Sequence, residues 1–200
     1  MGFVALASPS PSRIDGRVQR GERTRNAIAD ALLVLLERGD PQPTAREIAR
    51  EAGVSLRSVF QHFADMEAVY AMCVVRQHER LEPLRLSLDA AAPLTTRVDR
   101  LIAQRTRLYE RIAPVRRACL VVAPESQALR QGLEDAARAH RREIGALFGA
   151  ELSGAGRRDR LAAVEVATSF DTWDHLRRVQ GCTLPAAQRA VRRLLEGVLA

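Results

Sequence analysis

The chain has 200 residues, 46% of them hydrophobic and only 4% aromatic, and a formal net charge of +7 to which Arg supplies all 31 basic side chains. That is apolar material enough for one or two buried cores, and the basic balance favours an acidic partner such as nucleic acid or an anionic surface. Runs of Ala, Leu, Arg and Glu without period-two alternation exclude a sheet protein and predict an all-α fold.

Phe3 to Ala7 is too short for a signal-peptide core, and no stretch is long and charge-free enough to span a bilayer. Cys73, Cys119 and Cys182 are widely spaced and lack CxxC pairing, so reduced thiols are expected. The expected setting is cytoplasmic, with no membrane partner. Ser8 to Ser12 (SPSPS) reads as a flexible lead-in. Arg13, Arg17, Arg20, Arg23 and Arg25 outweigh Asp15 and Glu22, so residues 1–21 are expected to form a flexible basic arm. Such an arm is either a phosphate or minor-groove contact or a solvated tail.

Ile28, Ala31, Leu32 and Leu35 recur at helical spacing and predict a first helix over Asn26 to Arg38, stopped by Gly39. After the loop Asp40 to Pro43, Thr44 and Glu47 have capping-box spacing and start a second helix. Ile48 is its apolar contact, Ala49 lets another helix cross closely, and Gly53 permits the positive φ of a tight turn. Ser55 caps a third helix, with Leu56, Val59 and Phe63 expected as its buried stripe. This leaves Arg57, Ser58, Gln61 and His62 outward. Arg can pair bidentately with guanine and Gln with adenine, while Ser and His suit bases or backbone. The segment therefore predicts a helix-turn-helix that inserts its third helix into a major groove.

Asp65 caps a predicted fourth helix running to about Leu81 and ended by Pro83, placed to couple the reader to the rest of the chain. Four or five further helices are expected, broken at Pro93, Pro114, Pro124 and Gly154-Ala155-Gly156. His78, His140 and His175 are isolated, and no phosphate loop, nucleophile elbow or paired-carboxylate motif is present. The sequence thus predicts no enzyme, no catalytic residue, no metal site and no cofactor. Asp159 to Val179 and Pro185 to Leu199 look apolar over more than one face, which predicts a terminal helix pair that also meets a second copy. The candidate dimer interface is Ala163, Ala167, Phe170, Ala187, Val191, Leu194 and Val198.

Gly53-Val54-Ser55, Phe60-Gln61-His62-Phe63 and the Asp65-Met66-Glu67-Ala68 helix start resemble the tetracycline-repressor (TetR) family of bacterial transcription regulators. Phe170-Asp171-Thr172-Trp173, Leu176, Arg177 and Gly181 resemble its C-terminal region. Two positions depart from the family pattern: Phe60 stands where Tyr is more frequent and Met66 where Lys is, and neither can bond a phosphate. The resemblance implies an N-terminal three-helix helix-turn-helix DNA-binding domain (22–64) joined to a larger helical ligand-binding and dimerisation domain (65–200). It implies a homodimeric repressor that leaves a double-stranded DNA operator when an unidentified small-molecule effector enters the body and shifts the fourth helix.

The candidate DNA-binding set is Thr44, Ala45, Arg46, Ser55, Leu56, Arg57, Ser58, Phe60, Gln61 and His62. The candidate effector-binding set, chosen for apolar bulk with a few polar handles, is Met72, Arg76, Arg105, Tyr109, Cys119, Val122, Phe170 and Trp173. A helical small-molecule enzyme or a protein-interaction module that retains a helix-turn-helix are the competing readings.

Overall fold

Five helices start at a side chain that accepts the backbone N–H three residues on: Thr44 from Glu47, Ser55 from Ser58, Asp65 from Ala68, Ser126 from Leu129 and Ser169 from Thr172. These caps divide a chain that a computed structural model describes over residues 13–199. The helices are α1 (Arg13–Glu37), α2 (Ala45–Glu51), α3 (Leu56–His62), α4 (Met66–Leu81) and α5 (Leu94–Val122). They are followed by α6 (Gln127–Leu147), α7 (Arg157–Ala167), α8 (Phe170–Asp174), which runs on into a π-helical turn (His175–Val179), and α9 (Leu184–Leu199). No strand occurs among the described residues, and the fold is all-α as expected. None of these helices is long and apolar enough to cross a membrane.

Three boundaries differ from expectation. Helix α1 begins at Arg13, so the second half of the expected arm (13–21) is helical, while SPSPS lies outside the described residues. Pro114 does not break the chain but sits inside α5. Its missing N–H forfeits one helical hydrogen bond, yet Val115, Ala118 and Val122 beyond it are buried and hold the helix to its neighbours. The segment Asp159–Val179 is not one helix: it stops at Thr168 and restarts at the Ser169 cap.

Two cores result. One gathers Ile28, Leu32 and Leu36 of α1 with Ile48, Val59 and Phe63, and takes in Val69 and Cys73 of α4 and Val115 and Ala118 of α5. The boundary expected after residue 64 is therefore crossed by continuous apolar contact. The other joins Leu101, Tyr109, Ile144, Phe148, Val164, Phe170, Trp173, Val191 and Leu195 from α5 to α9. Helix α4 links them, lying against both α1 and α6. At the α4–α6 crossing a Cβ on Gly132 would stand 2.9 Å from Val74 Cγ1, so bare backbone meets a β-branched side chain there.

Candidate functional site

The reader is built from local hydrogen bonds. Thr44 Oγ1 accepts the Glu47 N–H, and the Glu47 carboxylate accepts the Thr44 N–H at 2.8 Å and its hydroxyl at 2.6 Å. Those bonds to Thr44 hold the Glu47 carboxyl below the ordinary carboxylate range, so it stays ionised at the helix start where the macrodipole favours it. Gly53, at φ 67°, makes the turn in the left-handed region. The Val54 N–H returns to Ala49 O at 2.9 Å and closes it.

Helix α3 is seven residues long and buries Val59. Arg57 and Gln61 are exposed, Ser58 and His62 half-buried. Thr44, Arg46 and Ser55 are exposed and Ala45 half-buried, all at the starts of α2 and α3. Arg46 and Arg57 form no ion pair among the described residues, so both guanidinium groups are free for an external anion. Leu56 corrects the sequence expectation: it is 38% exposed, so the buried stripe of α3 is Val59 with Phe63, and Leu56 shares the outer surface with Phe60, which is 51% exposed. Leu56 is the first residue of α3, next to its Ser55 cap, and helical spacing alone does not show that this end of the helix is exposed.

Arg25 has a role that its place in the basic arm did not reveal. Its Nη1 donates to His62 O at 2.8 Å and its guanidinium lies 4.6 Å over the Phe63 ring, so it fastens the C-terminal end of α3 to α1. A partner 37 residues away leaves no local signal. Arg38 similarly pairs with Glu51 at 2.7 Å and ties α1 to α2.

The expected effector-binding residues fall into two groups. Met72 and Cys119 border the reader's core, and Val122 lies with Ala123 and Leu129. Arg76 is engaged elsewhere: its Nε and Nη2 donate to Asp30 of α1 at 3.0 and 2.9 Å, and Arg80 joins Asp30 and Glu37, making a charged clasp between α1 and α4. Arg105, Tyr109, Phe170 and Trp173 do come together, in the body. The Tyr109 and Phe170 rings meet edge to face at 5.6 Å, with Trp173 6.5 Å from Tyr109. Arg105, Tyr109 and Trp173, with Ile102, Thr168 and Ser169, line a cavity of about 10 Å³, room for about one water molecule.

Polar groups around that cavity are largely committed. Tyr109 donates its hydroxyl proton to Thr168 O at 2.8 Å, and burial pushes its pKa up. Trp173 Nε1 donates to Glu110 at 2.9 Å, and Arg177 binds the same carboxylate, holding it below the usual range. The Thr168 hydroxyl donates to Val164 O at 2.7 Å, which leaves its oxygen to accept the His140 Nε2–H at 2.8 Å. Burial and the nearby Arg105 push His140 down to about 4, so its ring is neutral. His140 was expected to be an ordinary single histidine, and only the fold brings it to Thr168, 28 residues away at the break between α7 and α8.

The candidate interface set divides as well. Ala167, Phe170, Ala187 and Val191 are buried in the protomer's own core, so they are not available to a second copy as expected. An apolar helix signals burial but not which of two apolar faces is turned inward. Ala163 and Leu194 are exposed, the latter by 47%, and Val198 is half-buried. Val166, on the same helix as Ala163 but outside the candidate set, is 64% exposed. Ala162 and Ala163 stand beside it on one face of α7. No cluster of metal-ligating side chains occurs among the described residues.

Residues 28–73 match the family model described as bacterial regulatory proteins, tetR family. The match spans the last part of α1, the whole reader and the first half of α4. No curated protein matches the chain significantly. Among solved structures, a transcriptional regulator from Rhodococcus sp. Rha1 superposes with a TM-score of 0.69 at 20% identity, over 90% of this chain and 95% of that one. A protein from Mesorhizobium loti, described as a TetR-family transcriptional regulator, does so with a TM-score of 0.64 at 16% identity, over 90% and 96%. At such identities the likeness is one of fold, reader and body together. Over residues 28–73 the chain is thus similar to the tetR family of bacterial regulatory proteins, and as a whole it shares the fold of these two regulators.

Proposed function

We propose that the protein is a cytoplasmic, homodimeric repressor that binds a double-stranded DNA operator through residues 22–64 and releases it when a small molecule binds residues 65–200. The observation that carries this reading is the outer surface of α3. Arg57 and Gln61 stand exposed on a short helix whose start is capped by Ser55 and whose end is fastened by Arg25. A rigid reader loses little entropy on entering the groove. In this reading Arg57 and Gln61 take base edges, and Thr44, Arg46, Ser55 and Ser58 take phosphates.

Pairing of two copies through the exposed faces of α7 and α9, around Ala163, Val166 and Leu194, makes a four-helix contact. It holds two readers at a fixed separation, which matches half-sites roughly 34 to 36 Å apart or a multiple of that. The charged clasp of Asp30 with Arg76 and Arg80 makes α1 move with α4, so a displacement of α4 changes the separation. An effector that favours one separation over the other by about 1 to 3 kcal/mol is a sufficient switch.

Selection of fragments retained from the source genome tests the reading directly. One sequence should be enriched, and its binding should weaken steeply with salt. Arg57→Ala should lose discrimination at one base position by about 1 to 3 kcal/mol with the fold unchanged. An unenriched pool overturns the operator, and an unaltered sequence preference removes Arg57 from the reading set.

A further inference from the structure

Three buried side-chain N–H groups among the described residues have no hydrogen-bond partner: the Nε of Arg105, Arg116 and Arg160. Two of them flank one aromatic cluster. Arg105 precedes Tyr109 by one turn of α5 and Arg116 follows it by two, on the same helical face. The Arg116 guanidinium lies 5.8 Å over Phe170, and that side chain has no ion pair among the described residues. Arg105 is only 6% exposed and lines the cavity with Tyr109, Thr168, Ser169 and Trp173. A buried N–H left unsatisfied costs about 1 to 3 kcal/mol, and more on a charged group. Nature rarely leaves one beside a cavity without a use.

Resting on the reading of the body as an effector-binding domain, we propose that this cavity takes a small aromatic carboxylate. Its oxygen accepts the free Nε–H of Arg105, and its ring lies against Tyr109 and Trp173. The charge balance selects an anion over a neutral carbonyl. Glu143 pairs with Arg105 through Nη2 alone, Glu110 is committed to Trp173 and Arg177, and Asp171 is exposed, so among the described residues no free carboxylate at the cluster competes for the Arg105 Nε–H. His140, which bonds the hydroxyl of the lining residue Thr168, is neutral and adds no countercharge. A charge-assisted bond to a guanidinium is roughly twice as strong as a neutral one.

A ring does not fit in the space of one water, so a wall must give. Trp173 of α8 is part of that wall, and α8 runs on into the π-helical turn His175–Val179, a kind of turn that occurs often at functional sites. Outward movement of α8 is resisted by the Trp173–Glu110–Arg177 bonds and the Arg117–Asp174 pair. All of these can re-form after a small shift.

The test uses the full chain and three matched probe pairs: benzoate and benzamide, phenylacetate and phenylacetamide, 2-naphthoate and 2-naphthamide. Calorimetry should give at least one acid a Kd roughly tenfold or more below that of its amide, the ratio that one charge-assisted bond brings. That acid should also raise the titration midpoint of the His140 ring, followed by NMR, because a nearby anion favours imidazolium. Arg105→Lys keeps the charge and a partner for Glu143 but lacks the Nε–H, and it should erase most of the preference for the acid. The inference is overturned if no acid outbinds its amide, or if the preferred acid leaves the His140 midpoint where it was. Retention of a selected DNA fragment without any probe is measured separately. A chain that holds its operator but ignores all three acids refutes the carboxylate and leaves the regulator standing.

Discussion

The reader and the body are held together by interactions of different range. In the reader, the bonds of the caps and the turn join residues three to five apart, Thr44 with Glu47, Ser55 with Ser58 and Val54 with Ala49, and only Arg25 with His62 and Arg38 with Glu51 among the bonds described reach further. In the body they join distant segments, as in Arg97 with Glu151, Arg105 with Glu143, Glu110 with Arg177 and Tyr109 with Thr168. The reader is consequently a module whose shape is encoded where it is used. The body depends on buried charge that is stable only once the whole fold has assembled, because an unpaired buried ion is strongly destabilising.

The largest expected effect lies in the body. Arg97 is buried, pairs with Glu151 and donates to Leu147 O at 2.7 Å. Glu151→Ala should cost about 3 kcal/mol in urea unfolding, near the low end for a broken buried pair because the backbone acceptors remain. A loss no larger than that of a helix cap would show that the two regions do not differ as described.

Next in size is a pH effect. His140 sits near 4 in the fold, against about 6.5 in an unfolded chain. Its neutral form is the one the fold favours, so the contribution is complete above about pH 6.5 and is lost as pH falls toward 4. Stability should drop by about 2 kcal/mol between about pH 7 and about pH 5, and His140→Gln should remove that portion of the slope. An unchanged slope would place the acid sensitivity elsewhere.

The smallest effect belongs to the reader. Thr44→Ala should cost about 1 kcal/mol, and the Glu47 carboxyl should rise toward its ordinary range as the bond from the Thr44 hydroxyl vanishes while that from the backbone N–H stays. Urea denaturation and carboxyl NMR check the two parts. A loss several times greater would mean that the reader, too, relies on distant support.

The same contrast explains what the sequence could tell. The second and third helices, their caps and the Gly53 turn were legible because each depends on neighbours within a few positions. Leu56 misled because helical spacing alone places it with Val59, whereas the first turn of so short a helix overhangs the core. Pro114 misled because its local cost is outweighed by burial of the turns beyond it. The effector set mixed residues of two cores, since nothing in the spacing of Met72, Cys119 and Trp173 says which share a space. Four interface candidates proved to be core because small apolar residues serve both purposes equally well. Arg25 and His140 could not have been found, their partners being set by tertiary structure.

The contact between Gly132 and Val74 bears on how a signal would travel. With no side chain between them, α4 rides directly on the α6 backbone, and a stiff isopropyl group leaves no slack to absorb movement. Under the proposed function the crossing acts as a gear tooth seated at full depth: a shift of α6 would move α4 and, through the Asp30 clasp, the helices of the reader.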